Sequence, residues 1–243
     1  MLHSAPLFRI YFGDTKDQVF LPDLPRIAMA SQPILEMKPF DRLKKLMHLK
    51  KLTFLDQVHG VDGLILTNIN DVDVRRPFAQ EGDYLITSVP GVGIGIMTGD
   101  CLPVIFYDTV HHVIGIAHAG WRSAVAGIVP KVLGLMQEQF KTDLDNVRVF
   151  FGPSAKVCCY EVKQDFLEHL KPWDCMDHVT RRQGQTIYFD NTGFNKLLLE
   201  RVGVKKEAFR LEYNLCTIED ETFCSYRRQG EAAGRQMTVA SLR

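Results

Sequence analysis

Three short segments carry side chains that could meet on one metal ion: Gln57-Val58-His59-Gly60, Thr98-Gly99-Asp100-Cys101-Leu102-Pro103-Val104 and Ala117-His118-Ala119-Gly120-Trp121-Arg122. Each follows an apolar run that reads as a strand. Strand ends bring residues distant in sequence to one sheet edge, where loops carry chemistry. His59, Cys101 and His118 would supply two imidazoles and one thiolate. Zinc is borderline soft and takes nitrogen and sulfur ligands without redox chemistry. Three protein ligands leave a fourth position for water or substrate, as in a catalytic site. Taken singly, each residue also has a plainer reading: a buried thiol, a histidine capping a turn, and Gly60 and Gly120 as turn glycines.

The neighbours admit two readings each. Asp100 could act as general acid or base, or orient His59 or His118 from behind. Gln57 and Asp83 could line a pocket, or simply end a turn or strand. The Arg122 guanidinium fork suits a phosphate, and a helix starting beside it would add backbone N–H groups for an anion. A salt bridge that orders the loop is the alternative.

Several elements must position these residues. Apolar residues at Met37, Phe40, Leu43 and Met47 predict an amphipathic helix from Met37 to Leu49. Phe54–Val58 and Gly63–Thr67 read as short strands around a turn at residues 59–62. Asp83–Ser88, Gly93–Met97, Pro103–Asp108 and His112–Ala117 are apolar, β-branched runs, with Pro90-Gly91 turning between the first two. From Val125 to Phe140 the period becomes helical, with Pro130 either kinking the helix or starting it anew. Val147–Phe151, Thr186–Phe189 and Gln236–Leu242 read as strands, Asp165–Leu170 and Asn191–Val202 as helices. The expected class is α+β: a layered sandwich of mixed sheets with outer helices. No repeat or linker divides residues 1–243, so one domain is expected.

Bulk composition narrows the partners. Hydrophobic residues make up 46% and the formal net charge is zero, with scattered basic pairs such as Lys44-Lys45, Arg75-Arg76 and Arg181-Arg182. Nucleic-acid binding would call for a basic excess or stripe. No run reaches the length of a membrane span, and the N-terminus lacks the pattern of a signal peptide. Nucleic acid and membrane are therefore not expected as partners, and the cytoplasm is the expected compartment. There the six cysteines would be thiols or metal ligands. With no CxxC pair among them, a structural zinc knuckle is not expected.

The motifs QVHG, GDCLPV and HAGWR are followed by FGPSAKVCCYEV at residues 151–162 and FCSYRRQGEAAGR at residues 223–235. In this order they resemble the YfiH/YlmD family, once described as laccase-domain or polyphenol oxidase proteins, with an animal relative called FAMIN. HAGWR is the most specific. The resemblance runs from Phe54 to the C-terminus and leaves residues 1–53 unsupported. The family's Ala-Asp-Cys is here Gly99-Asp100-Cys101. The resemblance implies an α/β sandwich with packed sheets and one zinc per chain on His59, Cys101 and His118. It implies phosphorolysis of adenosine, inosine and S-methyl-5'-thioadenosine, with phosphate as co-substrate, and deamination of adenosine.

Within those motifs Cys101, His118, Asp100 and Arg122 are the catalytic candidates. Gln57, Asp83, Arg122, Tyr160 and Arg227 are the substrate-binding ones. Arg227 and Arg228 are equally compatible with a solvated face. Cys158 and Cys159 read as packing residues, because adjacent cysteines rarely chelate one ion together.

Other functions stay open. Some bacterial relatives are described as peptidoglycan editing factors. Cys101 with His118 as base would make a thiol hydrolase. A metal-binding regulatory protein is the non-enzymatic alternative. Multicopper oxidase chemistry is not expected: it needs His-x-His pairs, and the adjacent His111-His112 would point to opposite faces of a strand.

Overall fold

The computed structural model describes residues 1–17, 19, 38–72 and 78–243. Met37 and the Arg75-Arg76 pair lie outside the described residues. In chain order the strands are β1 (Leu2–Ser4), β2 (Phe8–Phe12), β3 (Lys51–Thr53), β4 (Gly63–Leu66), β5 (Tyr84–Thr87), β6 (Val92–Thr98), β7 (Leu102–Asp108), β8 (Ile114–Ala119), β9 (Val147–Phe151), β10 (Glu161–Val162), β11 (Thr180–Gln183), β12 (Thr186–Phe189), β13 (Phe209–Arg210) and β14 (Gln236–Leu242). The α-helices are α1 (Lys38–Met47), α2 (Trp121–Val125), α3 (Ile128–Phe140), α4 (Met176–Val179), α5 (Asn191–Arg201) and α6 (Tyr226–Gln229).

The strands form a five-stranded sheet in the order β1-β2-β14-β6-β3, a six-stranded sheet in the order β13-β9-β7-β8-β5-β4, and a small sheet β10-β12-β11. Both large sheets are mixed: β3 and β6 run parallel, as do β4 and β5, while β5, β8, β7 and β9 are antiparallel neighbours. This is the α+β class. The two large sheets face each other. Ile10 and Phe12 of β2 and Ile94 and Ile96 of β6 pack in one cluster with Ile105 of β7 and Ile116 of β8. The other face of the six-stranded sheet, with Val104, Phe106, Ala117 and Phe151, is covered by Val132 and Leu133 of α3 and Phe194 and Leu198 of α5. Phe40, Leu43 and Met47 of α1 cover the outer face of the five-stranded sheet at Met97, Met237 and Val239.

Burial on both faces explains why β7 and β8 are apolar at almost every position. Each fully buried large aliphatic or aromatic side chain stabilises by about 1.5–3 kcal/mol. These strands therefore form a rigid frame for residues at their ends.

Two local expectations differ. The segment from Phe54 to Val58 is not a strand: β3 ends at Thr53, and Asp56 makes one isolated bridge to Glu81. The ladder ends at Thr53 although Phe54 still packs under α1 and Leu55 on the opposite side, between the sheets, as successive strand residues do. The helix expected from Val125 divides: α2 stops at Val125, Gly127 takes a left-handed φ of 83°, and α3 begins at Ile128. Pro130 thus falls in the first turn of α3, where its missing N–H is harmless.

Candidate metal centre

Register sets the site. In the six-stranded sheet Leu102 of β7 pairs with Ala119 of β8, and Tyr84 of β5 pairs with Ala117. The starts of β5 and β7 thus flank the end of β8, and Asp83, Cys101 and His118 come to one edge. His118 lies on β8 in alternation with Ala117 and Ala119, on the face that carries Ile116 between the sheets. Cys101 follows the short crossing from β6, in one sheet, to β7, in the other. His59 arrives from the loop between β3 and β4. One donor atom from each of His59, Cys101 and His118 lies within 4.8 Å of the others. Cys101 Sγ is 3.7 Å from His59 Nε2, and the two imidazole centroids are 4.8 Å apart.

Asp83 organises this edge. It is 1% exposed. Its carboxylate accepts backbone N–H bonds from Val58 (3.3 Å), His59 (3.0 Å) and Gly60 (2.6 Å), and His118 Nδ1 donates to it at 2.7 Å. An ionised carboxylate only accepts, so Nδ1 carries a hydrogen and Nε2 is the ring atom left for a metal. One carboxylate thereby fixes both the His59 loop and the His118 tautomer. Burial pushes the Asp83 carboxyl up, but His118 and the backbone N–H groups outweigh it and hold it below its ordinary value.

The thiol is shaped by the same neighbours. Burial pushes Cys101 up, yet His118 and His59 bring it down to about 6. Burial pulls His118 down, while Cys101 and Asp83 outweigh it and raise it to about 9. This donor set is compatible with a metal ion: a pre-ionised sulfur, two imidazole nitrogens, and a carboxylate behind one of them.

His59 and Asp100 have left-handed backbones, with φ of 61° and 88°. Such positions cost of order 1–3 kcal/mol each and persist only where hydrogen bonds over-determine them. At His59 the Asp83 carboxylate does this. At Asp100 the side chain does: Thr217 Oγ1 donates to Oδ1 at 2.7 Å and the Arg227 backbone N–H to Oδ2 at 2.6 Å, while Ala155 N–H donates to the Asp100 carbonyl. The expectation that Asp100 orients His59 or His118 is therefore corrected. Its two oxygens tie the Cys101 turn to the loops at Ala155, Thr217 and Arg227, and Asp83 is the carboxylate on His118.

The other expected site residues are placed as follows. Gln57 uses its amide on the end of β6, donating to the Met97 carbonyl at 2.9 Å and accepting from Met97 N–H at 2.7 Å. Gly120 has an ordinary φ of −60°, so turn geometry does not require glycine. Room does: a Cβ there would lie 2.8 Å from His59 Cδ2 and 3.1 Å from Cys101 Sγ. Arg122 is exposed, with its guanidinium 4.4 Å above the Trp121 ring. The helix it opens, α2, has only five residues, which gives little of the expected anion-binding dipole. Tyr160 is buried, with the Arg227 guanidinium 4.9 Å over its ring. Burial and then Cys101 push its hydroxyl up, partly offset by Arg227. Arg228, half-buried, donates to the carbonyls of Thr217, Ile218 and Phe223 and so braces a loop.

Residues 37–243 match the family described as multi-copper polyphenol oxidoreductase laccase. The chain belongs to this family. The match begins ahead of Phe54 and so includes α1 and β3. Over 223 residues the chain is 35% identical to a protein named purine nucleoside phosphorylase from Borreliella burgdorferi, covering 85% of this chain and 91% of that one. It is 29% identical over 171 residues to adenosine deaminase RL5 from an unknown prokaryotic organism, covering 69% of this chain and 65% of that one. The hypothetical protein YfiH of Bacillus licheniformis superposes with a TM-score of 0.76 at 24% identity, over 83% of this chain and 79% of that one. At that identity the likeness shows the fold alone.

For a laccase-described family member, the histidines are few at the candidate centres. Among the described residues, two groups of His, Cys, Asp and Glu bring their donor atoms close together, and neither contains a His-x-His pair. The second group is Cys158, Cys159, Cys216 and Glu219. Sequence reasoning placed Cys158 and Cys159 in packing and missed Cys216 and Glu219, which lie more than fifty residues further on. It also missed Thr217, which holds Asp100, and Asn191, whose buried amide donates to the Ala119 carbonyl at 2.8 Å beside His118. Among the described residues no helix is long and apolar enough to cross a membrane.

Proposed function

We propose that the chain is a zinc-dependent purine nucleoside phosphorylase acting on adenosine, inosine and S-methyl-5'-thioadenosine, with adenosine deaminase activity. The observation that carries this reading is the convergence of His59, Cys101 and His118 within 4.8 Å, with Asp83 fixing the His118 tautomer. The names of the relatives supply the substrate class. A bound zinc ion would lower the pKa of a water toward about 7, which deamination requires.

This chain's own residues divide the remaining work. His59, Cys101 and His118 hold the metal, and Gly120 keeps the space beside two of them clear. Asp83 holds a hydrogen on His118 Nδ1, so that Nε2 is the ring atom that would bind the metal. Phosphate needs cationic donors: Arg122 has its guanidinium outside any ion pair among the described residues, and Arg227 stands over Tyr160. Bidentate guanidinium contacts suit a phosphate oxyanion in either case. Asp100 serves as a positioning residue, linking the Cys101 turn to the Arg227 backbone. We further read residues 1–243 as one domain, because β14 near the C-terminus fills the place between β2 and β6. Six free thiols suit the reducing cytoplasm.

The test is zinc content measured beside phosphate-dependent release of base from the three nucleosides. Cys101→Ala is expected to lose the metal at this site and to lower base release by more than about 100-fold, beyond the 10–100-fold typical of removing an outer partner. Full activity in that variant would sink the proposal.

One observation favours a second reading. Thiol, imidazole and carboxylate follow one another at Cys101, His118 and Asp83, the order of a nucleophile, its base and the group that orients the base. A thiol hydrolase would keep its turnover after chelation, whereas the phosphorylase and deaminase would lose theirs.

A further inference from the structure

The second donor cluster lies where a loop after β9 meets the loop before α6. Ser154 and Cys216 form a parallel bridge, with Ser154 N–H donating to Leu215 and Thr217 N–H to Ser154. This brings Cys216 beside Cys158, with the two sulfurs 3.5 Å apart. The adjacent pair reaches the same side for a conformational reason. The N–H groups of Cys159 and Tyr160 both donate to the Lys156 carbonyl, closing one tight turn. In such a turn successive side chains fan out by about 100°, whereas on a strand they would oppose each other. Cys158 and Cys159 can therefore face one point, and Glu219 supplies a carboxylate oxygen to it. All four donor atoms lie within 4.8 Å of one another. Four ligands at a zinc–sulfur distance of about 2.3 Å stand roughly 3.8 Å apart in a tetrahedron, so small side-chain adjustments close the shell.

We propose that Cys158, Cys159, Cys216 and Glu219 form a second, structural site for a thiophilic divalent cation of the zinc class. The ligand set is closed, with three sulfurs and one oxygen. Binding replaces the three thiol protons, which leave to solvent, with three metal–sulfur bonds. Lys156 offsets part of the resulting negative charge. It stands two residues before Cys158 in the same turn, and its side-chain nitrogen is held by Ser154 Oγ at 2.7 Å, Thr192 Oγ1 at 3.0 Å and Asn214. Cys216 directly precedes Thr217, which holds Asp100, and Cys159 directly precedes Tyr160. An ion here staples together the two loops behind the wall that carries Cys101. This site does not depend on what the His59, Cys101 and His118 centre catalyses.

The experiment uses Co2+ as the probe in the full chain, with the first centre silenced by His59→Ala and Cys101→Ser. The expected result is one Co2+ per chain, an intense thiolate-to-cobalt charge-transfer band, and a higher melting temperature with metal than without. Cys158→Ser or Cys216→Ser on that background is expected to abolish the band. Glu219→Gln is expected to keep it and weaken binding about tenfold. Because a serine variant can disturb the loops, the unsubstituted protein gives an independent readout. Metal should protect Cys158, Cys159 and Cys216 together from alkylation, while Cys175 and Cys224 react as they do without metal. Absence of a thiolate band in the silenced protein would overturn the proposal. So would unchanged alkylation of the three thiols, or a Cys158–Cys216 disulfide that forms in the presence of Co2+.

Discussion

The two donor clusters set the same element, sulfur, in opposite surroundings. Around Cys101 the neighbours are imidazoles. Burial alone would raise the thiol, but His118 and His59 bring it down to about 6. Around Cys158 and Cys159 the neighbours are other thiols and a carboxylate. There burial comes first, and Cys216 and Glu219 add to it, so both thiols rise. Burial has the same sign at both places, so the charge of the partners decides which sulfur is ionised before any cation arrives. One cluster holds an ionised sulfur before any cation arrives; the other gains its charge only when a cation displaces the protons.

The largest expected effect tests that contrast directly. In metal-free protein at pH 7, a thiol with a pKa of about 6 is about 90% thiolate, against about 3% for an ordinary thiol. Burial raises Cys158 well above an ordinary thiol, so iodoacetamide should label Cys101 at least roughly tenfold faster than Cys158, even after allowing for the lower nucleophilicity of an acidic thiolate. The sign follows from the depressed pKa: labelling is full above it and declines as pH falls through about 6. His118→Gln should move that midpoint upward, because it removes the largest stabilising partner of the thiolate. Equal labelling rates at Cys101 and Cys158 from pH 6 to 8 would erase the distinction between the clusters.

A second effect is expected behind the first cluster. Asp83→Asn keeps an oxygen that can still accept from the His59 loop, but it no longer enforces a hydrogen on His118 Nδ1. Metal affinity at the first centre should fall about 10–100-fold, while Co2+ binding by the thiol cluster stays unchanged. Loss of both together would mean that the two centres are coupled through Asp100 and Thr217 and do not act separately.

Much of the frame was legible in the chain. Residues 102–108 and 114–119 are apolar at nearly every position because both faces of their sheet are covered, and such runs announce themselves. Phe54–Val58 looked similar and was not a strand: Phe54 and Leu55 keep a strand's alternation between two cores, but the ladder ends at Thr53. The residues of the first centre were legible one by one, and the resemblance to a family joined them. The role of Asp83 was not, because it depends on the register that sets β5 beside the end of β8. Nothing local to Cys158-Cys159 points to Cys216 or Glu219; only the pairing of Ser154 with Cys216 brings them together. Asp100 misled for the converse reason. Standing beside Cys101 in sequence, it turns its carboxylate away, toward Thr217 and Arg227.

The smallest expected effect separates room from backbone conformation. Gly120 has a φ of −60°, which alanine adopts freely. Gly120→Ala therefore adds no backbone strain and should even restrict the unfolded chain slightly. Its Cβ would nevertheless press on His59 Cδ2 at 2.8 Å and approach Cys101 Sγ at 3.1 Å. The half of the contact that can yield is the His59 ring, which sits on an exposed loop, whereas Cys101 directly precedes β7 and is held by its frame. Overpacking of this kind costs about 1–3 kcal/mol, so displacing His59 should weaken metal binding at the first centre roughly tenfold and leave the melting temperature of the metal-free protein within a few degrees. Isothermal titration of both proteins reads the metal affinity, and a thermal scan of the metal-free forms reads the melting temperature. A large drop in melting temperature with unchanged metal affinity would mean that Gly120 serves the backbone after all, as a turn glycine does.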